Sequence, residues 1–406
     1  MTRLTAPDVI RRARSNGIRD VNRRAVRALT RRLSLAFGTA ELDFPLRYAD
    51  IADSTRLNLE PPQAPVPAGR PLKMAWICTP PGPGSGGHTT LFRMVAGMEA
   101  RGHSCTLMLY DRHGTDLGHA TGIIREHWPW LQVKVGMVPA NIRGFDACVA
   151  SSWETAHVLA SRGHAPTQRF YFIQDFEPYL YPRGSLYSLA EDSYRFGFRT
   201  IALGEMVAAA LEDNVGVTSS VIPFGCDTGV YRLQNRGQRN GVVFYARESV
   251  DRRGFLLAKL ALAEFHGRHP EQQIHVYGDP VSGWEIPHTH HGKLAPPELN
   301  SLYNRCVAGL AMSFTNISLV AEEMLASGIT PVINDHPFAR ADLPSSNARW
   351  AAATPGGLAD ALCRAVEEPI TAARAERNSG SARQGWSDAQ AKFADVVQAG
   401  VASCTI

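Results

Sequence analysis

One pattern constrains the fold more than any other: short apolar runs alternate with amphipathic stretches, and the alternation is played twice. KMAWICT (73–79), CTLMLY (105–110), DACVAS (146–151), RFYFIQ (169–174), TIALG (200–204) and SVIPFG (220–225) are too short for helices, and a helical stretch runs from about His88 to Arg101. Strands this uniformly apolar are buried on both faces, as in a parallel sheet covered by helices. A polar, glycine-containing break, LQNRGQRN (233–240), follows. The same grammar then restarts with GVVFYA (241–246), a helix from about Arg253 to His269, QIHVYG (273–278), VAGLAMS (307–313), a helix near Leu319–Ser327 and TPVIND (330–335). The pattern predicts two α/β domains with a seam near residue 235. The divisions are 1–72, a basic helical extension ending in the proline-rich linker LEPPQAPVPAGRP (59–71); 73–235, the first α/β domain; 236–385, the second; and 386–406, a C-terminal helix free to pack back on the N-terminal domain.

Composition narrows the function classes. No run of about 18 apolar residues suggests a spanning helix, and the arginine-rich start lacks the apolar core of a secretory signal. The seven cysteines are scattered without a CxxC. This spacing predicts neither a zinc site nor a disulfide framework, and suits a reducing cytoplasm. Residues 1–36 carry ten arginines against Asp8 and Asp20. Interleaved with Ile10, Ile18, Val21, Val26 and Leu29, they make a basic amphipathic segment. Such a segment lies on an anionic membrane surface, packs on its own protein, or forms a solvated arm. No nucleic-acid-binding motif accompanies it.

Two glycine-bearing loops carry chemistry. In PPGPGSGGH (80–88), Gly82, Gly84 and Gly87 satisfy GxGxxG between a strand and a helix, with Asp111 ending the next strand. That is the context of a dinucleotide fingerprint, so an NAD-dependent oxidoreductase using the Gly82–Gly87 loop is one reading. Pro80, Pro81 and Pro83 argue against it, since they stiffen the loop and remove backbone donors. Gly86 and Gly87 alternatively allow a ligand close to the backbone at a helix N-terminus, or simply form a tight turn.

The second stretch, SFTNISLVAEEMLASGITP (313–331), is the more informative. Ser318 reads as an N-cap, which directs the amides of Leu319 and Val320 towards an anion at the positive end of the helix dipole. LVAEEMLASGITPVI resembles the donor-site helix of retaining GT-B glycosyltransferases, above all glycosyltransferase family 4. The resemblance implies two Rossmann-like parallel-sheet domains facing across a cleft. It also implies two glutamates eight residues apart, the first contacting the transferred sugar and the second the ribose. Glu323, five residues before Gly328, takes the second place; Thr315 stands at the first and departs from the pattern. In FYARESVDRRG (244–254), Arg247 and Arg253 match the basic pair of the family, with Arg252 as the neighbouring alternative. Two cations there stabilise charge building on a departing diphosphate and can replace a divalent metal; no DxD stands at a suitable strand end, and no metal ligands are expected. VIPFGCDTGVY (221–231), with Gly225 and Asp227, is similar to the interdomain segment of the family. YFIQDFEPYLYP (171–182), GGHTTLFRM (86–94) and MSFTN (312–316) resemble bacterial rhamnosyltransferases of surface-glycan assembly.

The resemblance implies a glycosyltransferase that moves a sugar from a nucleoside diphosphate donor to a glycan or lipid-linked acceptor, retaining and metal-independent. Its co-substrate is dTDP-rhamnose or a UDP- or GDP-sugar, with no resident cofactor. Arg247 and Arg253 would carry most of the catalysis, with Thr315 and Asn316 beside the donor. Asp175, after Gln174 at a strand end, would orient or deprotonate an acceptor hydroxyl, or cap the next turn, with Glu177 in reserve. His88 would touch the donor sugar or phosphate, or be structural. A GT-B epimerase, a sugar phosphorylase and a glycan-binding protein without activity would share the fold. Placement is expected in the cytoplasm, at the inner face of the membrane if residues 1–36 bind lipid.

Overall fold

The computed structural model describes Val26, Leu29 and residues 44–317, 319–369 and 371–403. Most of the basic segment 1–36, and the proposed cap Ser318, lie outside the described residues. The chain falls into two compact units, one of residues up to Ala49 with Asp111–His113, the other of Asp50–Tyr110 with Gly114 onward. The second unit contains both sheets.

The first sheet is built from β1 (Lys73–Cys78), β2 (Ser104–Leu109), β3 (Lys134–Met137), β4 (Ala147–Ala150), β5 (Gln168–Ile173), β6 (Arg199–Leu203) and β7 (Ser220–Ile222), in the order β3-β2-β1-β4-β5-β6-β7. The second contains β8 (Val242–Ala246), β9 (Ile274–Gly278), β10 (Thr289–His290), β11 (Ala308–Leu310), β12 (Thr330–Asn334) and β13 (Arg349–Ala351), in the order β10-β9-β8-β11-β12-β13. Neighbouring strands are parallel throughout. Each order reverses beside its first strand, between β1 and β4 and between β8 and β11. Open α/β sheets bind ligands in the crevice at such switch points, outside the carboxyl ends of the strands.

The central strands coincide with the apolar runs because both faces are covered; every residue of β5 is buried. The SVIPFG run leaves the sheet at Ile222, where Pro223 has no N–H for a ladder. The strands that periodicity does not reveal are edges: β3 is exposed at both ends, β10 entirely, and β13 is only partly covered.

The polar break at 233–240 is tied down firmly. Asn304 Oδ1 accepts from the amides of Gln234 and Asn235 at 2.7 and 3.0 Å. The buried Arg239 guanidinium donates to the carbonyls of Asn235 and Ser327 at 2.7 and 3.0 Å. The two sheets are joined elsewhere too. Helix α5 (Glu205–Val215) begins against a carboxylate from the other half: Asp342 Oδ1 accepts from Glu205 N at 2.6 Å and Oδ2 from Met206 N at 3.0 Å. A Cβ on Gly204 (φ 89°) would meet the Asp342 oxygens at 2.7 Å, so only glycine fits there. At the C-terminus, α12 (Ser387–Val401) returns to α1 (Gly86–Ala100), where Phe393 stacks on Trp76 at 5.2 Å and meets Phe172 edge-on at 5.6 Å. Gly97 permits this approach; a Cβ there would lie 2.8 Å from Gln390. One apolar core therefore runs from the first sheet through α12 into the second, and another fills the far face of the second sheet.

Candidate active site

The loops after β1, β5, β8 and β11 converge at the two switch points. After β8, a short 3₁₀ turn (Asp251–Arg253) ends at Gly254, which is left-handed at φ 65° and would place a Cβ 2.0 Å from Met312 Cε. This glycine starts α6 (Phe255–Arg268) and fixes the direction of the two arginines before it. Arg253 Nη1 donates to Ser313 Oγ at 3.1 Å, and Ser313 is clamped by Asn334 through bonds of 2.9 and 2.7 Å. Arg247 donates to Tyr245 Oη at 3.0 Å and lies 3.4 Å from Asp279. Arg252 faces Asp175, with Nη1 3.2 Å from Oδ2. Burial, with the neighbouring Arg252 and Arg247 charges, pulls Arg253 down to about 10, Asp175 opposing. Three guanidinium groups so placed, with Asp175 and Asp279 beside them, can receive a polyanion.

The loop after β11 meets the loop after β5 directly. Thr315 Oγ1 donates to Asp175 Oδ1 at 2.6 Å, and Asn316 Nδ2 to the Gln174 carbonyl at 3.1 Å. Gln174 Nε2 donates to the Gly87 carbonyl at 3.0 Å, so the glycine loop is held in the same cluster. Thus Arg247, Arg253, Asp175, Gln174, Gly87, Thr315 and Asn316 come together. Beside Arg253 and Val320 the remaining cavity measures about 10 Å³, roughly one water-sized probe. Helix α8 (Leu319–Ala326) puts Leu319 and Val320 in its first turn.

The adjacent glutamates on α8 have different surroundings. Glu322 is buried and accepts from Arg383 N at 2.5 Å. Glu323 is raised to about 8, mainly by burial and then by Asp227, with Arg93 opposing. Arg93 pairs with Asp227 and lies over Trp386, its Cζ 5.2 Å from the ring centroid. Gly225, two residues before Asp227, is needed for close packing: a Cβ would sit 2.3 Å from the Gly385 carbonyl and 2.7 Å from Trp386.

Two expected contacts are redirected. Glu177 is engaged inside the first half, where its Oε2 accepts from Trp153 N at 2.5 Å and Tyr171 Oη at 2.8 Å. Burial, with Glu154 nearby, pushes its carboxyl well above the usual range. It braces α3 (Trp153–Arg162) rather than facing the cleft. Both ring nitrogens of His88 are taken, Nε2 donating to the Thr79 carbonyl at 2.9 Å and Nδ1 accepting from Ser85 Oγ at 2.8 Å. Burial lowers its pKa, so the neutral ring fastens the glycine loop. Asp279 carries no motif of its own, and Arg93 lies within GGHTTLFRM without being singled out there; the part of each emerges only from tertiary contact. Among the described residues no three His, Cys, Asp or Glu side chains are grouped as metal ligands. No described helix is long and apolar enough to cross a membrane.

Two parallel α/β sheets joined in this way form the GT-B fold of glycosyltransferases. The chain resembles sucrose-phosphate synthase of Thermosynechococcus elongatus with a TM-score of 0.62 at 13% identity, covering 81% of this chain and 98% of that one. It resembles Anabaena HepE in complex with UDP-glucose with a TM-score of 0.62 at 17% identity, covering 81% and 100%. In sequence, residues 240–363 match the WsaF C-terminal domain and residues 136–206 the WsaF N-terminal domain. The O-antigen biosynthesis protein RfbC of Myxococcus xanthus is 28% identical over 340 residues, or 78% of this chain and 26% of RfbC. The chain thus spans about a quarter of that curated relative.

Proposed function

We propose that this protein is a glycosyltransferase that transfers a sugar from a nucleoside diphosphate to a saccharide acceptor in surface-polysaccharide assembly. The observation that carries the reading is the cluster of Arg247, Arg252 and Arg253 at the switch point of the second sheet. A diphosphate is the ligand class that fits it. The UDP-glucose complex of HepE and the O-antigen name of RfbC support the donor class and the setting. Rhamnose from dTDP-rhamnose is our choice of sugar, with a glycan or lipid-linked acceptor. We assign the acceptor to residues 73–235 and the donor to 236–385, a division that the position of the arginines supports.

In the reaction, the bond from the anomeric carbon to the β-phosphate oxygen breaks and a bond from an acceptor oxygen forms. Charge builds on the departing phosphate. Arg253, held by Ser313, and Arg247, held by Tyr245, stabilise that charge without having to reorganise. On a retaining course the acceptor attacks from the leaving-group side and its proton passes to the departing phosphate. Asp175 accepts a hydrogen bond from an acceptor hydroxyl and orients it, while Glu323 binds the pentose of the nucleotide, through the 3′-hydroxyl in dTDP. The basic segment 1–36 would hold the enzyme at the inner membrane surface, near a lipid-linked acceptor.

A thermal-shift panel of dTDP, UDP, GDP and NAD, followed by transfer assays, tests the reading. A ligand at about 100 times its Kd adds roughly 2.7 kcal/mol. Stabilisation by one nucleoside diphosphate and transfer from its sugar are expected. Stabilisation by NAD alone would move the site to the glycine loop and end the transferase reading.

A further inference from the structure

Asp175 and Thr315 lie 140 residues apart, on different halves, yet share a 2.6 Å hydrogen bond. The carboxylate is held from both sides: Oδ1 accepts the Thr315 hydroxyl and Oδ2 faces Arg252 at 3.2 Å. Both partners belong to the second half, and no residue of the first half donates to either oxygen in the contacts described. Thr315 is buried, 4% exposed, and its loop is fixed by Asn316 on the Gln174 carbonyl and by Phe314 N on the Arg252 carbonyl at 3.1 Å. Arg252 Nη1 is buried without an aligned hydrogen bond. A charged donor without an aligned hydrogen bond therefore remains beside Asp175.

We propose that Thr315 is a positioning residue that sets the Asp175 carboxylate from across the cleft, with Arg252 as the switchable partner. Arg252 gives up Asp175 for the diphosphate when the donor binds, and Thr315 keeps the carboxylate aimed at the acceptor hydroxyl. The acceptor-side carboxylate and the phosphate-side cation then come into register only when the halves touch. The position at which the resemblance implies a glutamate thus has its carboxylate supplied from the opposite half. This inference rests on the transferase reading. A misplacement of about 1 Å in a reacting constellation costs on the order of 10²-fold in rate, which sets the scale of the test.

Thr315→Val keeps shape and removes the hydroxyl; Thr315→Ser keeps the hydroxyl. With the donor identified by the panel above, kcat of Thr315→Val should fall roughly 10- to 100-fold, with Thr315→Ser restoring it to within about threefold. The Kd of the nucleoside diphosphate alone, which lacks the sugar, should move by less than about threefold in both, since Arg247, Arg252 and Arg253 remain. Asp175→Asn should lose a similar factor, and the double variant should be no slower than Asp175→Asn, because the two groups act as a unit. Unchanged kcat in Thr315→Val, failure of serine to rescue, or losses that multiply in the double variant would overturn the proposal while leaving the transferase intact. A wild-type protein that binds no nucleoside diphosphate and transfers nothing would instead sink the underlying reading, and this inference with it.

Discussion

Glu323 offers a direct physical test of how the donor is held. Its carboxyl goes from an ordinary value of 4.5 to about 8. The difference, 8 − 4.5 = 3.5 units, is about 5 kcal/mol of preference for the neutral acid in the fold. The causes are burial and the facing Asp227, which Arg93 only partly offsets. The pKa is raised, so the associated stability is full below 4.5 and is lost as pH rises through 8. Pentose hydroxyls donating to Glu323 favour the ionised form, which is about a tenth of the population at pH 7. Binding through that form releases a proton, and the affinity of the nucleoside diphosphate found by the thermal-shift panel should rise by up to about tenfold per unit from pH 6 towards 8 and flatten above. Calorimetric titration of wild type and Glu323→Gln with that same nucleoside diphosphate at each pH isolates the effect, because the diphosphate's own titration cancels in their ratio. The variant should be flat relative to wild type. If Glu323→Gln keeps the wild-type slope, or wild type lacks one, the assignment of the ribose to this carboxyl is wrong.

Three further outcomes are expected. Arg253→Ala and Arg247→Ala should each lose about 10²–10³-fold in kcat with circular dichroism unchanged, since each removes a fixed cation from the leaving phosphate; near-normal turnover would end the cationic-clamp mechanism. His275 is lowered to about 4 by burial and the neighbouring His291 and Arg305, so its contribution is present above 6.5 and is lost as pH falls towards 4. Urea midpoints should therefore fall less from pH 7 through 5 to 4 in His275→Gln than in wild type. Phe393→Ala should cost about 3–5 kcal/mol, read as a lower denaturation midpoint, because it empties the space between Trp76 and Phe172; a change below about 1 kcal/mol would mean α12 is not part of the core.

The legible parts of this fold are those where burial is one-dimensional. A central parallel strand is covered on both faces, so the apolar runs of β5 (RFYFI after Gln168) and β8 stand out in the chain; edge strands need no such run, so KVGM and RWA do not. The same logic divides the site. Arg247 and Arg253 are singled out by the family resemblance of FYARESVDRRG, and the left-handed turn of the glycine that follows them is a local property. Roles that depend on a distant partner are not readable. His88 and Glu177 have the chemistry of a site, but the Thr79 carbonyl, the Trp153 amide and the Tyr171 hydroxyl have already claimed them. Nothing in SFTNIS announces a bond to Asp175, because the bond exists only once two sheets have folded and met.

Two carboxylates join the halves, and they differ in whether a substrate competes for their partners. Asp342 accepts from two backbone amides at the start of α5, at 2.6 and 3.0 Å, where the helix dipole also favours the charge. Gly204 leaves no room for anything else there. Asp175 is held by one hydroxyl and one guanidinium that also lies in the path proposed for a diphosphate. A bond to amides at a packed helix start has no competitor among substrates; an ion pair with a phosphate-binding arginine does. The carboxylate of the first joint therefore has no rival partner, while that of the second shares its arginine with the proposed phosphate site. Asp342→Asn should then weaken the fold by about 1–3 kcal/mol without altering nucleotide affinity, whereas Arg252→Ala should alter that affinity with little effect on the fold. The reverse pattern in melting and binding data would exchange the two roles.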